Sequence, residues 1–225
     1  MNDNSGILLI NKTKGKSSFT LVNLLRKITK IKKIGHAGTL DPFATGLMIM
    51  LIGKEYTKKS LIFMNYEKEY LCKIHLGYTT KSFDPEEKLE FVSKKVPTNE
   101  ELNQLLNQFQ GKLKQIPPMY SAKKINGQRL YLLARKNIII EREPIEISLT
   151  TQLISYNYPY IELKIICSKG TYIRSIANDL GQKLDCGAYL KELTRTRCGK
   201  FYLKDAIDQN DLETKKINLP TFILK

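Results

Sequence analysis

The stretch Gly35 to Leu47 constrains this chain more than any other. Three glycines, a proline and two threonines surround a single carboxylate there, and the unbroken apolar run Leu47 to Ile52 follows at once. Glycines let a backbone turn tightly or approach a ligand, and a proline drives the residue before it out of helical geometry toward an extended one. Asp41, just before Pro42, is therefore expected to project from a rigid loop. Asp-Pro is also an ordinary turn opener, so residue chemistry alone leaves open whether the loop serves shape or function. The apolar run behind it, closed by Gly53, has the continuous character of a buried strand.

Around this centre the periodicities alternate between strand and helix. Gly6 to Ile10 reads as a short strand and Asn11 to Ser18 as a basic turn ending in a helix cap. Phe19, Val22, Leu25 and Ile28 then fall at helical spacing, which predicts an amphipathic helix to about Lys30. Lys54 to Met64, with Tyr56, Leu61 and Met64 among lysines, suits a surface helix. Glu69 to Leu76 alternates, with Tyr70, Cys72, Ile74 and Leu76 on one face and Leu71, Lys73 and an exposed His75 on the other. Thr98 and Glu101 form a capping box that opens a helix through Leu102, Leu105, Leu106 and Phe109. Pro144 to Ser155 and Tyr158 to Cys167 read as strands joined at Tyr156-Asn157, and the chain then turns into a helix with Arg174 near its start. Asp205 to Leu212 looks like a short helix.

The net charge of +15 on 225 residues implies a polyanionic partner, and neutralising phosphates is the commonest use of such an excess. A membrane surface would attract the same charge, but no basic helix with a strong apolar face is visible, and no apolar run approaches the roughly 20 residues that span a bilayer. Met1 to Ser5 is polar and contains Asp3, with no signal pattern, so a cytoplasmic protein is expected. Cys72, Cys167, Cys186 and Cys198 form no C-x-x-C pair, and His36 and His75 are the only histidines, which argues against a metal site and for reduced, mostly buried thiols. Only seven of the 37 basic residues are arginine, so each arginine marks a candidate place for a planar, bidentate donor. Gln115 to Tyr131 joins two prolines to a basic stretch interleaved with tyrosines, a composition that suits RNA.

Gly35-His36-Ala37-Gly38-Thr39-Leu40-Asp41-Pro42, followed by Ala44-Thr45-Gly46, resembles the signature of the TruB family of tRNA pseudouridine synthases. The likeness extends from about Gly6 to Phe201. Pro117-Pro118-Met119-Tyr120-Ser121-Ala122 through Tyr131 matches a second family motif, Cys167 to Gly181 a third, and Leu190 to Gly199 a last one. Two departures stand out. The first motif, Asn11-Lys12-Thr13, has a threonine in place of the usual proline, and the loop carrying Thr80, Ser82 and Asp84 closes on Glu87 in place of glycine.

The resemblance implies an α+β fold, a mixed and mostly antiparallel sheet with flanking helices. It implies an isomerase that acts on the T-loop uridine (position 55) of tRNA without cofactor or metal. One carboxylate held beside an extruded nucleotide is what that chemistry requires. Asp41 would be the essential aspartate, either attacking the nucleotide or abstracting a sugar proton. Tyr70 would stack on the flipped uracil, Arg174 would hold Asp41, and Asp84 would support Arg174. Leu193, Tyr172 and Arg195 would line or close the pocket, Tyr120 would pack beneath it, and His36 would press into the RNA loop. Residues 1–204 would form the catalytic domain and 205–225 a short extension with no room for a C-terminal PUA domain; a monomer is the default. The rival readings are a non-enzymatic RNA-binding or RNA-folding protein and a guide-RNA-dependent synthase.

Overall fold

The structure, a computed structural model, describes residues 5–125, 127–214 and 219–224. Asp3 in the polar start, and Asn126, lie outside the described residues. The chain forms two compact units, Met1–Leu71 with Leu193–Lys225, and Cys72–Glu192.

The first unit is built on the Thr45–Ile52 strand, which is buried along almost its whole length because apolar side chains occupy both of its faces. Gly6–Lys12 runs antiparallel to it, from Gly6 opposite Ile52 to Lys12 opposite Gly46. Ile34–His36 pairs antiparallel with its far end, and Thr194 and Arg195 pair in parallel with Thr45 and Gly46. Ile207–Asp208 adds a parallel edge to Gly6–Lys12. One face of this sheet closes a core of Ile7, Leu9, Ala37, Leu47, Ile49, Leu51, Phe63 and Phe201. The expected amphipathic helix spans Ser18–Thr29; the Ser17 side chain accepts from the Thr20 N–H, and Lys30 ends the helix in the left-handed region.

In the second unit Tyr160–Cys167, Ile145–Asn157 and Gly111–Gln115 pair antiparallel in that order. The helix Asn99–Asn107 opens with the Thr98–Glu101 capping box, and Ile173–Lys183 carries Arg174 in its first turn. Pairings in the two units are mixed and mostly antiparallel with helices beside them, the α+β class that the resemblance implied.

Four local expectations need correction. Lys54 to Met64 is two short helices, Lys54–Lys58 and Ser60–Met64, parted at Lys59; Phe63 enters the core while Leu61 stays 69% exposed. The strand ending near Ser155 runs on to Asn157, because Tyr156 and Asn157 still find partners in Ile161 and Tyr160, and the turn falls at the cis Tyr158-Pro159 bond. Asp205 to Leu212 is a 3-10 turn, the two-residue strand Ile207–Asp208 and the helix Gln209–Glu213. Pairing with Ile10 and Asn11, which no local pattern reveals, draws the middle into the sheet. His75 is half-buried, its ring stacked on Tyr189 at 5.3 Å and edge-on to Tyr160 at 4.9 Å. The four cysteines are free and buried.

Candidate active site

Asp41 opens a tight turn whose backbone is fastened on several sides within the first unit. The Ala44 N–H donates to the Asp41 carbonyl at 3.1 Å, and Pro42 takes the position of the turn that its fixed φ suits. Ser18, at the start of its helix, receives the Leu40 N–H at 2.9 Å and returns its hydroxyl to the Leu40 carbonyl at 3.0 Å. The Pro42 carbonyl accepts from the Gly15 N–H at 2.8 Å and from Lys12 Nζ at 3.3 Å. The Asp41 side chain itself is half-buried.

Lys12 is the largest surprise. The sequence places it in a basic loop, open to solvent or to phosphate, yet it has 0% exposure. Its ammonium donates to the carbonyls of Thr13 at 3.0 Å and Lys16 at 2.7 Å as well as Pro42. Hydrogen bonds from a charged donor are about twice as strong as neutral ones, which is how a buried lysine is tolerated here.

Arg195 is 1% exposed and lies under the loop. Its Nε donates to the Leu47 carbonyl at 2.7 Å and its Nη2 to the Gly38 carbonyl at 3.3 Å, so one guanidinium bridges the two ends of the Asp41 stretch. Gly46 makes this approach possible: its φ is +103°, and a Cβ there would stand 2.4 Å from the Arg195 carbonyl oxygen. His36 ends the Ile34–His36 strand. Burial, with the Arg195 cation beside it, pushes its pKa down, opposed in part by a hydrogen bond with the Gly38 backbone. Leu193 is buried next to Thr194, whose hydroxyl lies 2.8 Å from that of Thr45. Tyr70 is buried on the inner face of the Lys68–Leu76 strand.

Arg174, Tyr172 and Asp84 belong to the second unit. Arg174 Nη1 faces Asp84 Oδ2 at 3.3 Å, with both side chains about 5% exposed or less. The same Nη1 donates to the Ser82 carbonyl, and Nη2 to the Tyr120 carbonyl, each at 2.8 Å. Asp84 is held in turn by the Ser82 hydroxyl at 2.6 Å and the Glu86 N–H at 3.1 Å. Tyr172 is the N-cap residue of the Arg174 helix, and the buried Gln115 amide clamps its backbone, donating to its carbonyl at 3.0 Å and accepting from its N–H at 2.8 Å. Sequence reasoning passed over Gln115, Ser18 and the burial of Lys12; each is a polar residue with at least one partner 22 or more positions along the chain. The basic, tyrosine-bearing stretch forms a small ribbon, Lys124–Ile125 with Gln128–Arg129, and borders an open depression of about 390 Å³ lined by Lys124, Arg129, Tyr131 and Lys136.

Residues 26–173 match the model of the TruB family pseudouridylate synthase N-terminal domain. The chain belongs to the TruB family. Residues 174–219 match the tRNA pseudouridylate synthase B C-terminal domain. Among TruB relatives, the tRNA pseudouridine synthase B of Protochlamydia amoebophila (strain UWE25) is 55% identical, over 93% of this chain and 80% of its own. That of Chlamydia trachomatis serovar L2 is 47% identical, over 97% and 90%. A chain in the crystal structure of a Cbf5-Nop10-Gar1 complex shares the fold, with a TM-score of 0.75 at 23% identity. The match covers 100% of this chain and spans 61% of the length of that one. No helix among the described residues is long and apolar enough to cross a membrane.

Proposed function

We propose that this chain is the tRNA pseudouridine synthase that isomerises the T-loop uridine, position 55, with Asp41 as the essential carboxylate. Family membership makes it a tRNA pseudouridine synthase, an isomerase. The fastening of the Asp41 turn by Lys12, Gly15, Ser18 and Arg195 is the observation that carries the assignment to this aspartate. A turn shaped only to connect two strands has no need of two buried cations. Preorganised geometry is what a reaction at a single carboxylate requires, since positioning alone can supply a large part of a barrier.

In this reading the uridine is turned out of the T-loop, stacks on Tyr70, and meets Asp41 at the sugar or the base. Arg174 acts on the Asp41 carboxylate, Leu193 and Tyr172 border the base, and His36 fills the space it vacates. Asp84 acts through Arg174 and Arg195 through the loop. The net charge of +15 and the basic depression beside Tyr131 supply phosphate contacts to the T-arm. The chain works as a monomer in the cytoplasm and takes no cofactor.

A tRNA transcript tritiated at uridine C5 tests the assignment. The native chain is expected to release tritium and Asp41→Asn to release none while binding the same RNA. Equal release by both would remove Asp41 from the chemistry. Binding by both with release by neither would leave an RNA-binding or RNA-folding protein.

A further inference from the structure

Thr13 stands where the first motif of the family carries proline, and its two donors have one destination. Its N–H donates to Gln209 Oε1 at 3.1 Å and its hydroxyl to the same oxygen at 3.2 Å. Gln209 has no exposed surface, and its Nε2 donates to Glu213 Oε1 at 2.7 Å, so its side chain is held at both ends. The sheet delivers it to this place. Asn11 pairs with Asp208, the Asn11 amide bonds the Asp208 carboxylate at 2.8 Å, and Gln209 is the next residue. On its other side Thr13 gives its carbonyl to Lys12 Nζ, the ammonium that also reaches Pro42.

A proline at position 13 would have a fixed φ and no N–H to satisfy. Threonine restores the rotation and adds two donors, in a segment whose shape sets where Lys12 and Gly15 meet the Asp41 turn. We propose that Gln209 is a positioning residue for the isomerisation, taking over from a proline ring the task of fixing residue 13 and so the Lys12 contact to the Asp41 turn. The proposal rests on the isomerase reading above. Gln209 touches no reacting atom; it acts through Thr13 and Lys12 on the placing of Asp41.

The test compares the native chain, Gln209→Leu, Thr13→Pro and the double variant, following tritium release for kcat and KM with melting temperature alongside. Gln209→Leu is expected to lower kcat about tenfold with KM within about twofold, since the two bonds from Thr13 and the one to Glu213 go while the RNA-binding surface stays. Adding Thr13→Pro to Gln209→Leu is expected to return kcat to within about threefold of native, because the ring fixes the backbone and leaves no donor orphaned. General loss of packing would not be rescued by a change at residue 13. A native kcat in Gln209→Leu, a loss confined to KM, or a double variant no better than Gln209→Leu overturns the proposal. Should Gln209→Leu fail to fold, Thr13→Val carries the test, since it removes only the hydroxyl donor: an unchanged kcat there overturns the proposal and a reduced one with native KM supports it. A native chain that releases no tritium overturns the isomerase reading itself, an outcome distinct from equal activity in native and Gln209→Leu.

Discussion

The ammonium of Lys12 lies 3.3 Å from the carbonyl oxygen of Pro42, and Lys12 has no surface left to solvent. A fully buried cation thus fastens the residue that follows Asp41.

Lys12→Met keeps the stem and removes the ammonium, leaving the Thr13, Lys16 and Pro42 carbonyls short of a donor. Each hydrogen bond to a charged group contributes about 1.5–3 kcal/mol. Denaturant unfolding is expected to show a loss of at least about 3 kcal/mol, and the folded fraction a kcat at least about tenfold lower. Native kcat in a folded Lys12→Met chain would show that the fastening has no bearing on chemistry.

Gly46→Ala should be worse than its size suggests. The new methyl would meet the Arg195 backbone at 2.4 Å from a φ of +103°, so the parallel pairing of Arg195 with Gly46 must open. We expect a loss of at least about 2 kcal/mol, read as a lower denaturation midpoint. Gly15→Ala is the control, strained at φ +81° but with nothing near its Cβ, and should cost less.

Asp84→Ala removes the carboxylate facing Arg174 in a site almost closed to water. Breaking a buried ion pair from one side costs about 3–5 kcal/mol, most of it the price of the charge left behind. The melting temperature should fall sharply for Asp84→Ala and less for Asp84→Asn, whose amide oxygen can still accept. Equal midpoints for both variants and the native chain would mean that the guanidinium finds other partners at no cost.

Acid sensitivity follows from His36. Its pKa lies below the ordinary 6.5 in the folded chain, so the unfolded chain binds the proton more readily. The stability contributed by the neutral ring is present above pH 6.5 and is lost as pH falls through the folded value. His75 shifts in the same direction, also through burial first, but it is more open to solvent. Unfolding free energy is therefore expected to drop below pH 6.5 and to drop less steeply in His36→Gln. Parallel pH profiles for the two chains would contradict this.

Thiol reagents give an independent check on the fold. All four cysteines are buried, and burial pushes the Cys72 thiol up to about 12. Native protein at pH 8 should react at a small fraction of the rate of denatured protein, in which all four thiols titrate. Rapid reaction of any one would mean that its surroundings open readily.

Much of this was legible in the chain because it rests on neighbours. Ser17 caps its helix three residues on, Thr98 and Glu101 find one another across one turn, and Tyr70, Cys72, Ile74 and Leu76 share a face by simple alternation. The Asp41 stretch announced a rigid loop through its own glycines and proline. What holds that loop was hidden. Lys12 reads as a solvent-facing cation until Pro42, 30 residues on, is brought beside it. Gln209 meets Thr13 across 196 positions, and Ile207–Asp208 becomes a strand only because Gly6–Lys12 lies next to it. Helical spacing likewise could not show that Lys54 to Met64 breaks at Lys59 to send Phe63 inward.

The bridge from Arg195 to the Gly38 and Leu47 carbonyls spans most of the chain, 148 residues in the second case. During synthesis the N-terminal strands, the Asp41 turn and its lysine leave the ribosome long before the arginine that ties the turn's two ends. A nascent chain that has emerged only as far as the middle of the protein holds an aspartate on an unfinished mount. The turn therefore gains its tie to Arg195 only after at least 148 further residues have been made, so its final shape is acquired late relative to its own synthesis.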